Sequence, residues 1–316
     1  MRRFGFTAAG TQRWECVLCR TTGVKKRRDN VSRLWSSRFV PWLTGSERLF
    51  MLRRRWKVSY ETVRRHFEPL WMRPPLPHHV ELTTASVLIL DATALVSRHL
   101  VVLVARTPKG VVAWRFGERE SYVEWGKLLD SLHGKPCAVV CDGQKGLEKA
   151  VFERWPDIFL QRCTAHVERQ ALVWLTRKPK TDAGRELRSL VLLLSNVRDR
   201  RKADAWIHAF ESWCDRRSEF LAEHTPHPFN PRRWWYTHRK LRAVRSLLKN
   251  SAPFLFTWIL VPGVPRTTNH VEGGINSRLK DLFRIHRGIS PQKKIALTAW
   301  YLYHRQSERK STRNGY

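Results

Sequence analysis

Three β-rich stretches follow one another at residues 87–90, 100–105 and 111–116, with only short polar connections between them. β-Branched and aliphatic residues at this density form strands. Thr107-Pro108-Lys109-Gly110, between the last two, has turn chemistry, so the spacing predicts a three-stranded antiparallel meander. The texture then alternates. Residues 121–132 read as helix, 137–141 as a fourth strand, 145–155 as helix, and 158–161 as a fifth strand leading into a helix from Ala165. Antiparallel strands need only hairpins, whereas parallel strands need crossovers. The order therefore predicts an α/β chain with a mixed sheet flanked by helices.

The order βββαβαβα is that of the ribonuclease H fold, in which the first and fourth strands lie side by side. Asp91 ends the apolar run Val87-Leu88-Ile89-Leu90, and Asp142 ends Ala138-Val139-Val140-Cys141. The two aspartates would then be neighbours. A third carboxylate, Glu272, sits inside TTNHVEGGINSRLK. At about 100° per residue, Ile275, Leu279, Leu282 and Phe283 form an apolar stripe that includes Glu272 and faces the body of the protein. An inward carboxylate is costly unless paired, hydrogen-bonded or metal-bound. Two strand-end aspartates and a helical glutamate suggest metal-dependent phosphoryl transfer. The alternative is a capping box between Asn269 and Glu272 at the start of their own helix.

Charge points the same way. The chain carries 59 Lys and Arg against 27 Asp and Glu, a formal net charge of +32, far beyond what solubility asks. Residues 1–80 hold 18 basic and 5 acidic side chains, and residues 266–316 hold 11 and 3, so the excess is not a detachable tail. A solvated or membrane-facing surface is the plain alternative to a nucleic-acid partner. No segment approaches the roughly 18–20 consecutive apolar residues of a membrane span, and no apolar signal-peptide core follows Met1-Arg2-Arg3. The protein is expected to stay where it is made. Six cysteines fit a reducing compartment better than a disulfide framework. Cys137 and Cys141 lie on one predicted strand, about 13 Å apart at ~3.3 Å per residue. They cannot share one tetrahedral zinc and read as small buried hydrophobes.

Five segments result. Residues 1–30 hold Cys16 and Cys19, half of a zinc-ribbon site, followed by a basic run. Residues 31–80 contain two short helical patterns, 46–55 and 59–67, with Ser59 as N-cap and Arg64 and Arg65 free to meet a groove. They fit a helix-turn-helix or an ordinary amphipathic hairpin, and Arg73-Pro74-Pro75-Leu76-Pro77 closes the segment as a linker. Residues 81–180 are the first part of the core. Residues 181–265 read as an all-helical insertion, with Trp206 and Trp213 as core. Its Arg232-Arg233-Trp234 cluster is open to two readings, core of a small helical domain or a surface that stacks on unpaired bases. Residues 266–316 complete the core, with Arg278 and Lys280 as basic DNA-contact candidates.

Together these residues resemble a bacterial insertion-sequence transposase of the Mutator-like superfamily, with a DDE catalytic core of ribonuclease H type. The resemblance rests on Leu90-Asp91-Ala92-Thr93, Cys141-Asp142-Gly143 with Gly146-Leu147-Ala150-Val151, Gln161-Arg162-Cys163-Thr164-Ala165-His166, and Arg266-Thr267-Thr268-Asn269 with Glu272 and Asn276. It implies that Asp91, Asp142 and Glu272 carry two Mg²⁺ or Mn²⁺ ions. Cys163 and His166 form the C-x-x-H element beside the site, with His166 among the catalytic residues and Asn269 and Asn276 nearby. The implied partners are the element's terminal inverted repeats and a target duplex, bound as a homodimer or higher assembly, in the bacterial cytoplasm at the nucleoid. A transposase-derived DNA-binding protein without activity, or a ribonuclease H-like nuclease, would share much of this pattern.

Relatives often carry a complete four-cysteine ribbon, and here only Cys16 and Cys19 have ligand spacing. Zinc is therefore not an expected cofactor. Residues 1–30 are expected to be mobile, as if the reading frame began inside a ribbon whose folding depends on metal.

Overall fold

The computed structural model describes residues 1–24, 28–96, 99–268 and 272–306, without the side chains of residues 28–30, 231, 272 and 273. At the N-terminus β1 (Arg2–Phe6), β2 (Gln12–Glu15) and β3 (Thr22–Val24) form a three-stranded antiparallel sheet. Where the sequence suggests an unstructured ribbon remnant, the described residues pair as a sheet. The described residues here are exposed or half-buried apart from Glu15, whose carboxylate accepts from Arg2 at 2.6 Å. Arg13 donates to Thr22 at 2.7 Å, so cross-strand side chains supplement the ladder.

Three helices follow: α1 (Arg28–Thr44), α2 (Leu49–Trp56) and α3 (Tyr60–Met72). Ser59 caps α3 as expected, accepting from the Thr62 backbone N–H at 3.1 Å. The turn before it lacks glycine, and Lys57 adopts the left-handed conformation at φ 53°. The sequence reading missed α1, whose Pro41 lies inside the helix. Trp35, Phe39 and Leu43 recur every fourth residue, share one helix face and are buried. Phe39 packs edge-on against Phe67 and Trp71 at 5.0 and 5.2 Å, so these helices join the main core rather than hang from a linker.

β4 (Glu81–Leu82) leads into β5 (Val87–Val96), β6 (Leu100–Thr107) and β7 (Gly110–Gly117). α4 (Tyr122–Asp130), the short β8 (His133–Gly134), β9 (Ala138–Cys141), α5 (Lys145–Arg154), β10 (Phe159–Arg162) and α6 (Thr164–Leu175) complete the alternation. The five-stranded sheet has the order β10-β9-β5-β6-β7. β5, β6 and β7 are antiparallel, and β9 pairs parallel with both β5 and β10. The first and fourth core strands therefore lie side by side, as expected.

Alternation along each strand divides the core between two faces. Val87, Ile89, Val102, Val104 and Val140 pack with the N- and C-terminal helices, while Leu88, Leu90, Leu103, Val139 and Cys141 pack with α4 and α5. Cys141 is fully buried, as read; Cys137 is only half-buried, its thiol donating to the Ser86 carbonyl at 3.2 Å.

The insertion comprises α7 (Asp182–Leu193), α8 (Arg200–Arg216), α9 (Ser218–Ala222), α10 (Arg239–Ser251) and α11 (Thr257–Leu260). Trp206 and Trp213 belong to its core and donate to the Leu190 and Ala183 carbonyls. It is not all-helical, however, because β11 (His224–His227) and β12 (Asn230–Tyr236) form an antiparallel hairpin. Pro226, Pro228 and Pro231 exclude helix, and Trp234-Trp235-Tyr236 favours strand. After a π-helical turn, Glu272–Asn276, α12 (Ser277–Ile285) and α13 (Pro291–Tyr303) are the last described helices. The Gln306 amide donates to the carbonyls of His78 and Val112, and its oxygen accepts from the His78 N–H.

Candidate active site

Register brings the two aspartates together. Val87, Leu88 and Ile89 pair one-for-one with Ala138, Val139 and Val140. Continued two residues, the same register sets Asp91 level with Asp142 on strands about 4.8 Å apart. Asp91 and Asp142 share strand parity with Ile89 and Val140, which face the cluster containing Ile275, Leu279 and Leu282. Asp91 is buried. Its Oδ1 accepts from the Ala92 N–H at 2.9 Å and its Oδ2 from the Asn276 amide at 2.8 Å.

Asp142 is half-buried and tops the turn into α5, where its Oδ1 accepts from the Gln144 N–H at 2.9 Å. Gln144 in turn caps α5 through Leu147. Gly143 sits at φ +90°, and a Cβ there would lie 2.9 Å from Nε of Arg162. Arg162 is buried, forks onto Glu148 and donates to Ser251 Oγ at 2.8 Å. The Asp142 turn thus rests on a guanidinium that reaches the end of α10.

Cys163 is fully buried and its N–H donates to the Cys141 carbonyl at 2.7 Å. Thr268 donates to Cys163 Sγ from its N–H at 3.3 Å and from its hydroxyl at 3.4 Å, and that hydroxyl lies 3.4 Å from Nδ1 of His166. Burial pushes the Cys163 thiol up, but the hydrogen bonds from His166 and Thr268 outweigh it, so the thiol lies below its ordinary value. The C-x-x-H element and Thr268 therefore form one unit.

Glu272 opens the π-helical turn that ends at Asn276. Its side chain, and all of Asn269, lie outside the described residues. Among the described residues no group of three or more His, Cys, Asp or Glu could hold a metal. Asp91 and Asp142 offer carboxylate oxygen, the donor type that hard divalent cations prefer.

Sequence reasoning missed two site neighbours. Thr268 was read only as part of a motif, and Glu120 sits in the loop between β7 and α4, where Gly117-Glu118-Arg119-Glu120 resembles an ordinary solvated connection. The starts of α4 and α5 approach closely, since a Cβ on Gly146 would lie 2.9 Å from the Tyr122 nitrogen. Burial raises the Glu120 carboxyl, the Asp142 charge raises it further, and Trp125 and His166 oppose the shift.

The basic candidates are spread out. Arg64 and Arg65 are exposed on α3, with Arg64 paired to Glu61 at 2.9 Å. Arg232 and Arg233 are exposed on β12 beside Trp234. Lys280 is exposed, whereas Arg278 is half-buried and donates to the Thr44 carbonyl at 2.8 Å. Cys16 and Cys19 flank the turn after β2. A hydrogen bond with the Thr21 side chain, followed by the Thr21 backbone and Cys16, brings the Cys19 thiol down to about 7.

Residues 81–225 match the family described as Transposase, Mutator family. A probable transposase for an insertion sequence element from Corynebacterium diphtheriae is 44% identical over 52 residues, 16% of this chain and 15% of that protein's length. The family match takes in Asp91, Asp142, Cys163 and His166, so residues 81–225 are similar to the Mutator family of transposases.

Proposed function

We propose that the protein is a DDE-type DNA transposase with a ribonuclease H-like core, cutting insertion-sequence ends and joining them to target DNA. The observation that carries this reading is the convergence on Asp91: Asp142 by strand register, and the C-terminal segment by the 2.8 Å bond from Asn276. Glu272 begins the turn that makes this contact. Asp91, Asp142 and Glu272 would hold two Mg²⁺ or Mn²⁺ ions, which supply activation of the attacking oxygen and stabilisation of the leaving one.

The chain's own groups do the positioning. Asn276 orients the Asp91 carboxylate, the Arg162 guanidinium supports the Asp142 turn, and His166, held by Thr268, hydrogen-bonds the scissile phosphate. Water attacks phosphorus at the element's end and the P–O3′ bond breaks, freeing a 3′-hydroxyl. That hydroxyl then attacks a target phosphodiester, displacing the target's own 3′-oxygen. Arg64 and Arg65 on α3 contact the terminal repeat, Arg232, Arg233, Trp234 and Lys280 contact flanking DNA, and Arg278 contributes from its anchored position. The acting form is a dimer or larger assembly on DNA, at the nucleoid.

Strand transfer with the element's own ends tests this reading. Asp91→Asn, Asp142→Asn and Glu272→Gln should each abolish divalent-metal-dependent cleavage and leave DNA binding in place. Near-normal turnover by any one variant removes that residue from the triple.

A further inference from the structure

From Glu223 to Glu272 the chain contains no intervening acidic residue, and residues 224–250 include seven Lys and Arg. This stretch builds the hairpin β11–β12 and the helix α10 that follows it. On one hairpin face Trp234 meets Tyr236 edge-on at 5.2 Å, and His224 from the other strand lies 3.8 Å from Trp234 and 4.9 Å from Tyr236. The Arg242 guanidinium covers the Tyr236 ring at 3.4 Å. These contacts stiffen the hairpin without covering its aromatic ends. Trp234 remains 53% exposed, and Phe229, at the tip, 91% exposed.

Exposed rings among cations, with Glu223 at the hairpin's base paired to His238 at 2.9 Å, complement a polyanion that also presents flat apolar faces. Duplex DNA offers the charge but keeps its base faces stacked. Only unpaired bases offer both.

The hairpin is also tied to the active site. α10 runs 13 residues from Arg239 to Ser251, about 18 Å at 1.5 Å per residue. Ser251 Oγ accepts from Arg162, the side chain beneath the Asp142 turn. β12 adds seven residues, roughly 20 Å more if fully in line. With about 20 Å more for Thr237, His238 and the Ser251–Arg162–Gly143 link, the tip is bounded to about 60 Å from that turn, roughly eighteen base pairs at ~3.4 Å each.

We infer that the hairpin reads unpaired DNA: Phe229 and Trp234 stack on bases displaced from the duplex within about two turns of the scissile phosphate, while Arg232 and Arg233 hold the adjoining backbone. This rests on the transposase reading above and adds to it the ligand class and the stacking residue Phe229.

Fluorescence anisotropy of the full-length protein would compare a labelled duplex with the same duplex carrying a central mismatched bubble. The wild-type protein should prefer the bubble, by roughly five- to a hundredfold for stacked bases. Phe229→Ala should reduce that preference with paired-duplex affinity unchanged, Trp234→Ala should weaken bubble binding more than duplex binding, and Phe229→Trp should retain the preference. Arg232→Ala should weaken both probes together. Equal binding of the two probes by a wild-type protein that still cleaves DNA would overturn the hairpin inference alone. So would alanine variants that lose both probes in parallel. Failure of the wild-type protein to bind either probe would overturn this inference together with the transposase reading.

Discussion

The Asn276 side chain donates to Oδ2 of Asp91 at 2.8 Å, joining residues 185 positions apart. Both are buried, and the bond ties the first core strand to the turn begun by Glu272. Groups that orient a ligand carboxylate contribute strongly to site geometry. Asn276→Ala should lower cleavage roughly 10- to 100-fold and raise the Mg²⁺ concentration needed for half-maximal rate, with duplex binding unchanged. A Mg²⁺ titration of single-turnover cleavage measures both effects, and an unaltered Mg²⁺ profile would dismiss the orienting role.

Gly143 answers to two demands, a φ of +90° and the Arg162 side chain 2.9 Å from where its Cβ would stand. Gly288 shares only the first, at φ +78° with nothing within 4 Å. Gly288→Ala should cost about 1 kcal/mol from backbone strain alone. Gly143→Ala should cost more and slow cleavage as well, because Asp142 shares its turn. Urea midpoints of the two variants separate the contributions, and equal losses would show that the Arg162 contact is immaterial.

Glu120 is raised by burial first and by Asp142 next. A carboxyl raised in the folded state contributes stability that is fully present below its unfolded value and is lost as pH rises through the folded one. Glu120→Gln keeps an acceptor for Trp125 and removes the charge. Its urea midpoint should exceed that of the wild type at pH 7, and the gain should shrink as pH falls through the carboxylate range. A gain independent of pH would refute this assignment.

Arg64 and Arg65 are exposed on α3, and the chain's +32 charge predicts many phosphate contacts. Affinity for duplex DNA should fall steeply with salt, with a log–log slope near −0.9 per phosphate neutralised. Replacing both arginines with alanine should flatten that slope by about two such units and weaken end binding more than cleavage of a pre-nicked substrate. Equal losses in both assays would argue against a separate recognition helix.

Much of the core was legible because strand runs and turn residues are local signals. The 51-residue offset between paired strands then followed from topology, matching Ile89 with Val140 two residues short of Asp91 and Asp142. Ser59 also announced its helix through a cap. Other features depend on distant partners. Thr268 acquires a role only when its hydroxyl meets Cys163 and His166 from more than 100 residues away, and Glu120 only when the starts of α4 and α5 converge. The helix α1 was obscured by an internal proline and a polar setting, its aromatic face finding partners on α3 and α13. The hairpin is hidden in the sequence because apolar spacing in the surrounding insertion is helical, and only Pro226, Pro228 and Pro231 interrupt it.

The outer strands of the sheet have a bearing on assembly. On β7 the Val111 N–H is taken by the Arg305 carbonyl at 2.8 Å, and Gln306 occupies the neighbouring Val112 carbonyl. On β10 the Leu160 and Arg162 carbonyls accept from the side chains of Thr257 and Gln161. Unpaired edge groups are what allow one sheet to continue into another, and at both margins some of them are engaged internally. Pairing a second sheet onto either margin would first displace these contacts, so the proposed assembly on DNA is better served by side chains, helical surfaces or the DNA itself, leaving the sheet that carries Asp91 intact.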